Sequence, residues 1–182
     1  MLPERQINLG LIDFLTGINN RRYFDERLPK EISHSRRYQK SLSCLFIGID
    51  CFEQYKKSYG YINGDKILKQ VAQKIWHGLR TTDIVGRYNE EEFAVLLIEA
   101  DIDRARSVAE RIQQNIQNQQ IELEGQAVEI TISIGVSDAR QSQKNDHCAK
   151  SLGELMLATA DRALKNAKQI GRNQVQCMPL PA

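Results

Sequence analysis

The chain has 182 residues, 41% of them hydrophobic and 26% charged, with a formal net charge of +2. That length suits one domain with a proper core, and the composition is that of a soluble globular protein. The near balance of charge argues against nucleic acid as a bulk partner; no stretch reaches the length of a membrane span and no signal peptide is recognisable.

Residues 1–12 are expected to be a lead-in, the end of a helix from an upstream segment. From residue 13 a turn-rich stretch gives way to a helix in which Tyr23, Phe24, Leu28 and Ile32 fall at roughly helical spacing. "SLSCLFIGID", residues 41–50, is a short apolar run of strand formers, expected to be a central strand buried on both faces. "NGDKILKQVAQKIWHGLR" follows as a helix with Ile67, Leu68, Val71, Ile75 and Leu79 on one face. "DIVGRYNEEEFAVLLIEA" is a hairpin, and "IDRARSVAERIQQNIQNQ" is a helix that turns Ala105, Val108, Ala109, Ile112 and Ile116 to the core.

"VEITISIGVSDA" reads as one strand, followed by a polar loop from about 138 to 150. "SLGELMLATADRALKNAKQIGRN" is the last helix, with Gly171 as its C-cap, and "QVQCM" is a short final strand. The order predicts an α/β fold with a mainly antiparallel central sheet and helices packed on it. The cysteines, Cys44, Cys51, Cys148 and Cys177, form no CxxC pair and no cluster with His34, His77 or His147. They are expected to be reduced thiols of a cytosolic protein.

Five stretches, in order across residues 13 to about 175, resemble one family. "DFLTGINNRRYF" is similar to the D-x-L-T-G-L-x-N-R-R-x-F opening of GGDEF domains, the diguanylate cyclase family. "NGDKIL" fits its G-D-x-x-L, "RYNEEEF" its R-Y-G-G-(D/E)-E-F signature, "ITISIGVS" its V-T-x-S-I-G-V, and "ADRALKNAKQIGRN" its A-D-x-A-L-Y-x-A-K-x-x-G-R-N. The resemblance implies a palm-like sheet of about five strands flanked by helices, spanning residues 13–178 with 179–182 as a tail. It also implies a bacterial cytoplasmic location. In the family, two domains face each other, each holds one GTP, and two metal ions, Mg2+ or Mn2+, serve the formation of cyclic di-GMP.

The same resemblance assigns site residues and marks where this chain departs. The family's metal ligands are a first-strand carboxylate, the next backbone carbonyl and the third signature letter. Those positions are Gly48, Ile49 and Glu91, so one of two carboxylates is replaced by a residue with no side chain. Asp50 shares the face of residue 48 but stands roughly 7 Å along the strand, far for a metal held at about 2.1 Å. The signature glycines are replaced by Asn89 and Glu90; a two-residue type I′ turn would need φ > 0 at both and would cost about 1 kcal/mol at Glu90.

The guanine-reading Asn aligns with Lys56, which offers donors only, while the guanine-reading Asp is kept as Asp65. Glu53 reverses a family lysine, and Tyr61 replaces a histidine. Lys168 and Arg172 match the phosphate-contacting pair, and Glu92 matches a carboxylate that would assist hydroxyl deprotonation. Arg80 and Asp83 form an RxxD five residues before the signature, the family's inhibitory site for cyclic di-GMP.

Each of these has a plainer explanation. Lys168 suits a helix C-terminus, Arg80 and Asp83 suit a surface pair, the three glutamates suit a solvated hairpin tip, and Asp65 suits an N-cap. Three functions follow. One is a degenerate domain with weak or no cyclase activity that binds cyclic di-GMP at Arg80 and Asp83, or GTP weakly. The second is an active cyclase with a substituted signature. The third is an interaction module, as a homodimer or with another signalling protein, that binds no nucleotide.

Overall fold

The computed structural model describes residues 10–139 and 148–181. Most of the expected lead-in, part of the polar loop, and His147 lie outside them. The elements run β1 (Asn19–Asn20), α1 (Arg21–Arg37), β2 (Leu42–Ile49), α2 (Phe52–His77), β3 (Ile84–Arg87), β4 (Glu92–Ile98), α3 (Ile102–Gln117), β5 (Ile121–Leu123), β6 (Gln126–Val128), β7 (Ile132–Asp138), α4 (Ala149–Gln169) and β8 (Val175–Cys177).

Six strands form one sheet in the order β1-β3-β4-β2-β7-β8, and β5-β6 is a separate hairpin. The four inner strands are antiparallel, while β1 and β8 join the edges in parallel. The sheet is therefore mixed, with the expected antiparallel centre and one strand more than about five.

All eight residues of β2 are buried, as a central strand between two helical layers requires. Leu45, Ile47 and Ile49 face one core with Ile67, Val71 and Ile75 of α2 and Ala109, Ile112 and Ile116 of α3. Cys44 and Phe46 face the other core with Phe24, Leu28 and Ile32 of α1 and Leu152, Met156 and Leu164 of α4. Gly48 continues the second face, beneath α4.

Three local expectations are corrected. First, α2 starts at Phe52, eleven residues before the expected helix at Asn63, and runs through a kink at Gly60 with φ 79° and ψ 167°. Asp65 is therefore inside the second half of α2 and is not an N-cap. Second, residues 128–139 are not one strand: β6 ends at Val128 and β7 begins at Ile132. Third, the signature turn is not type I′. Among the described residues neither Asn89 nor Glu90 has positive φ. The loop is wider, closed by Tyr88 N–H and Asn89 N–H donating to Glu92 O at 2.8 and 3.2 Å. Glu90 therefore carries no left-handed strain, which removes the backbone objection to a non-glycine residue there.

Candidate functional site

The signature loop lies at one end of the sheet, between β3 and β4. The β2–β4 register sets Gly48 opposite Glu92 and Ile47 opposite Phe93. One step on, Ile49 N–H donates to Glu91 O at 3.2 Å. This register brings residue 48, residue 49 and Glu91 to one place, as the family resemblance requires.

The second wall of the site is the loop from β2 into α2. Cys51 has φ 55° and starts the helix without a side-chain cap. The third wall is the end of α4, where Gly171, Arg172 and Asn173 have φ of 141°, 62° and 47°. Two consecutive left-handed non-glycine residues are costly and persist only where their surroundings hold them.

Asp50 is part of that hold. It is buried, and it accepts hydrogen bonds from Thr131 Oγ1 at 2.8 Å, Ser133 Oγ at 2.7 Å and Asn173 N–H at 3.0 Å. Its carboxylate ties β2 to the start of β7 and to the turn that carries Arg172.

Each of the three glutamates has a polar partner; Glu90 stays exposed at the tip of the loop, while Glu91 and Glu92 are part-buried. Glu90 accepts from Lys56 Nζ at 2.5 Å. Lys56 also pairs with Glu53, and its ammonium lies 5.1 Å from the Phe52 ring centroid and 5.8 Å from that of Tyr61. Two departures from the family pattern, Lys56 and Glu90, thus meet each other across the site. Glu91, half-buried, lies 3.6 Å from Lys168 Nζ. Glu92 accepts from Asn89 Nδ2 at 2.6 Å. It also lines an open cleft of about 460 Å³ with Arg21, Tyr88, Asp161 and Lys165.

Two further residues brace the loop; both are letters of the quoted motifs, which gave them no site role. Arg87 Nη2 donates to Glu90 O at 2.8 Å and Arg87 Nη1 to Asp13 Oδ1 at 3.2 Å. Asp13 in turn holds Thr16 N–H at 2.9 Å. The opening "DFLTG" motif therefore fastens the end of β3. Asp65 is exposed on α2, next to Gly64, against which the Lys56 stem packs.

Arg80 and Asp83 sit at the other end of β3 from the signature. Asp83 accepts from Arg80 N–H at 2.9 Å and from Ile98 N–H at 3.2 Å. One oxygen therefore closes the turn before β3 and the other ties that turn to the end of β4, a structural duty that leaves spare lone pairs. The Arg80 guanidinium is exposed and makes no ion pair or hydrogen bond among the described residues. Arg111 Nη2 donates to Gly78 O at 2.7 Å, two residues before Arg80 in the chain.

Adjacent carboxyls on the loop shift in opposite directions. Lys56 lowers the Glu90 carboxyl below the ordinary carboxylate range. Burial raises Glu91 above it, and Lys168 offsets this only in part. Acidification is expected to protonate Glu91 first and Glu90 last, read by side-chain carboxyl NMR. The depressed Glu90 stabilises the fold above the unfolded carboxyl pKa, and that contribution is lost as pH falls through its folded value. The raised Glu91 does the reverse: its cost sets in as pH rises through the unfolded pKa. Equal titration midpoints would contradict this assignment.

The donor set does not fit a divalent metal. Magnesium takes hard oxygen ligands at about 2.0–2.1 Å in near-octahedral geometry. Gly48 supplies no ligand, Asp50 spends its oxygens on three donors, and an ammonium stands beside Glu91. Among the described residues no three His, Cys, Asp or Glu side chains are grouped to hold a metal ion.

Residues 11–174 match the family described as diguanylate cyclase, GGDEF domain. The chain belongs to the GGDEF domain family. It is 36% identical over 172 residues to diguanylate cyclase A of Treponema denticola, covering 93% of this chain and 44% of that one. The chain spans less than half the length of the curated relatives it matches first. Among solved structures it is similar to the diguanylate cyclase SiaD of Pseudomonas aeruginosa, solved in complex with its activator SiaC. The TM-score is 0.82 and the identity 30%, covering 92% of this chain and 62% of that one. The GGDEF domain of DgcB from Caulobacter crescentus, solved with c-di-GMP, shares the fold at TM-score 0.82 and 24% identity, covering 92% of this chain and 95% of that one. Among the described residues no helix is long and apolar enough to cross a membrane.

Proposed function

We propose that this GGDEF domain has weak or no cyclase activity and acts in cyclic di-GMP signalling as a regulatory or receptor module. It would bind cyclic di-GMP through the exposed Arg80 beside Asp83, or GTP weakly. One observation carries the first half: residue 48, which the resemblance aligns with a metal-binding carboxylate, is a glycine, and it pairs with Glu92 beside Glu91. A metal ligand worth roughly 4 kcal/mol in the transition state corresponds to about a thousandfold in rate.

The second half rests on Arg80. A guanidinium gives bidentate contacts to phosphate or to a guanine edge, and Asp83 can accept from guanine N–H groups. Arg80→Ala is the clean variant, because Asp83 also holds its turn and its loss would disturb β3. Titration of cyclic di-GMP is expected to show saturable binding to the wild type. Arg80→Ala should weaken that binding by about 30-fold or more, the loss of roughly 2 kcal/mol of charge-assisted hydrogen bonding. Equal affinity in both would move the ligand elsewhere, and no binding to the wild type would favour an interaction module.

A second reading, an active cyclase, is favoured by relatives named diguanylate cyclases and by the retained Glu91, Glu92, Asp65, Lys168 and Arg172. In either case the domain would work in the bacterial cytoplasm.

A further inference from the structure

The position of Lys168 follows from the glycine at residue 48. A Cβ built on Gly48 would stand 2.8 Å from Lys168 Nζ, 2.9 Å from Lys168 Cε and 3.3 Å from Leu164 Cδ2. Leu164 and Lys168 are one helical turn apart, so α4 lays both over the same strand residue. Leu164 seals the core there, and the end of Lys168 enters the volume that any side chain at residue 48 would claim. Only a quarter of the lysine side chain is exposed, at 25%, and its partner is Glu91, at 29%. An ammonium so placed needs a carboxylate beside it.

We propose that Lys168 is the resident cation of this site. Its ammonium, seated against Gly48 and paired with Glu91, holds the place a divalent metal would need, and the loop stands without one. A metal ion within about 2.1 Å of Glu91 would lie within roughly 6 Å of that ammonium, where like charges repel. The neighbouring Glu90 is taken in the same manner by Lys56. Glu90 and Glu91 thus have ammonium partners from two different helices. The proposal extends the non-catalytic reading of the cleft and presupposes it.

Mn2+ alone, without nucleotide, is the probe, read by melting temperature and by the electron-paramagnetic signal of free Mn2+. Wild type is expected to leave both unchanged at millimolar Mn2+. The double variant Gly48→Asp/Lys168→Met sets two carboxylates together and removes the ammonium. Its melting temperature should rise by about 5 °C with Mn2+. Mn2+ binding to wild type that is lost in Glu91→Gln would overturn the proposal, as would a folded double variant indifferent to Mn2+.

If the double variant does not fold, the single variants decide. Glu91→Gln should shift the unfolding constant at least about threefold more favourably in Lys168→Met than in wild type, and equal shifts would overturn the pairing. A wild type that binds Mn2+ yet makes no cyclic di-GMP would sink this proposal alone. Product formation by the wild type would sink the functional reading itself.

Discussion

Gly135→Ala is expected to cost this domain about 3–5 kcal/mol or its fold altogether. Gly135 lies in β7 under the middle of α4. A Cβ there would stand 2.0 Å from Ala160 O, 2.3 Å from Leu164 N and 2.9 Å from Ala163 C. All three are helix backbone atoms, which cannot rotate away as a side-chain tip can. The helix would have to lift from the sheet, and Leu164 and Lys168 would move with it. The loss is read from urea unfolding, with Gly10→Ala as control. Its Cβ would meet only Arg22 Nη1 at 3.9 Å, and it should stay within about 0.5 kcal/mol of wild type. Equal midpoints for the two variants would contradict the close packing of α4 on β7.

Asp50→Ala is the second large effect, about 3 kcal/mol and a fall of about 10 °C in melting temperature. The substitution strands the buried Ser133 hydroxyl and the part-buried Thr131 hydroxyl and Asn173 N–H. It also releases the turn with φ of 62° and 47° at Arg172 and Asn173, so Arg172 should lose its fixed position. Asp50→Asn keeps an acceptor and should cost less. A loss below about 0.5 kcal/mol in Asp50→Ala would mean that the carboxylate is not the anchor of that turn.

Much of the fold was legible because its signals are periodic. α1, α3 and α4 repeat apolar residues every three or four positions, and β2 is an unbroken apolar run whose eight residues are all buried. The first half of α2 was not legible. "FEQYKKSY" is polar apart from its aromatic residues, and the glycine after it reads as a break. In the structure Gly60 is a kink inside one merged helix. The β5–β6 hairpin is three residues a side with Glu122, Gln126 and Ala127 exposed, too short for a period to show.

The site divides along the same line. Motif register was enough to align Gly48, Ile49, Glu91 and Lys168. It could not show that the Lys168 ammonium enters the space above Gly48, because that depends on where α4 crosses the sheet. Lys56 and Glu90 each looked like a separate defect in the sequence; only the fold pairs them, across 34 residues. The cost assigned to Glu90 rested on a two-residue turn, and the wider loop removes it. Asp50, weighed as a substitute ligand, is instead a structural acceptor.

GTP turnover, with Mg2+ and with Mn2+, of the wild type beside Gly48→Asp decides whether the missing carboxylate silences this domain. The new side chain would displace the far end of Lys168, a flexible neighbour, and press slightly on Leu164 Cδ2 at 3.3 Å. The wild type is expected to make no cyclic di-GMP above background, and the variant to make measurable product. Steady product from the wild type at the variant's rate would show that residue 48 is dispensable and that this domain is an enzyme with an altered site.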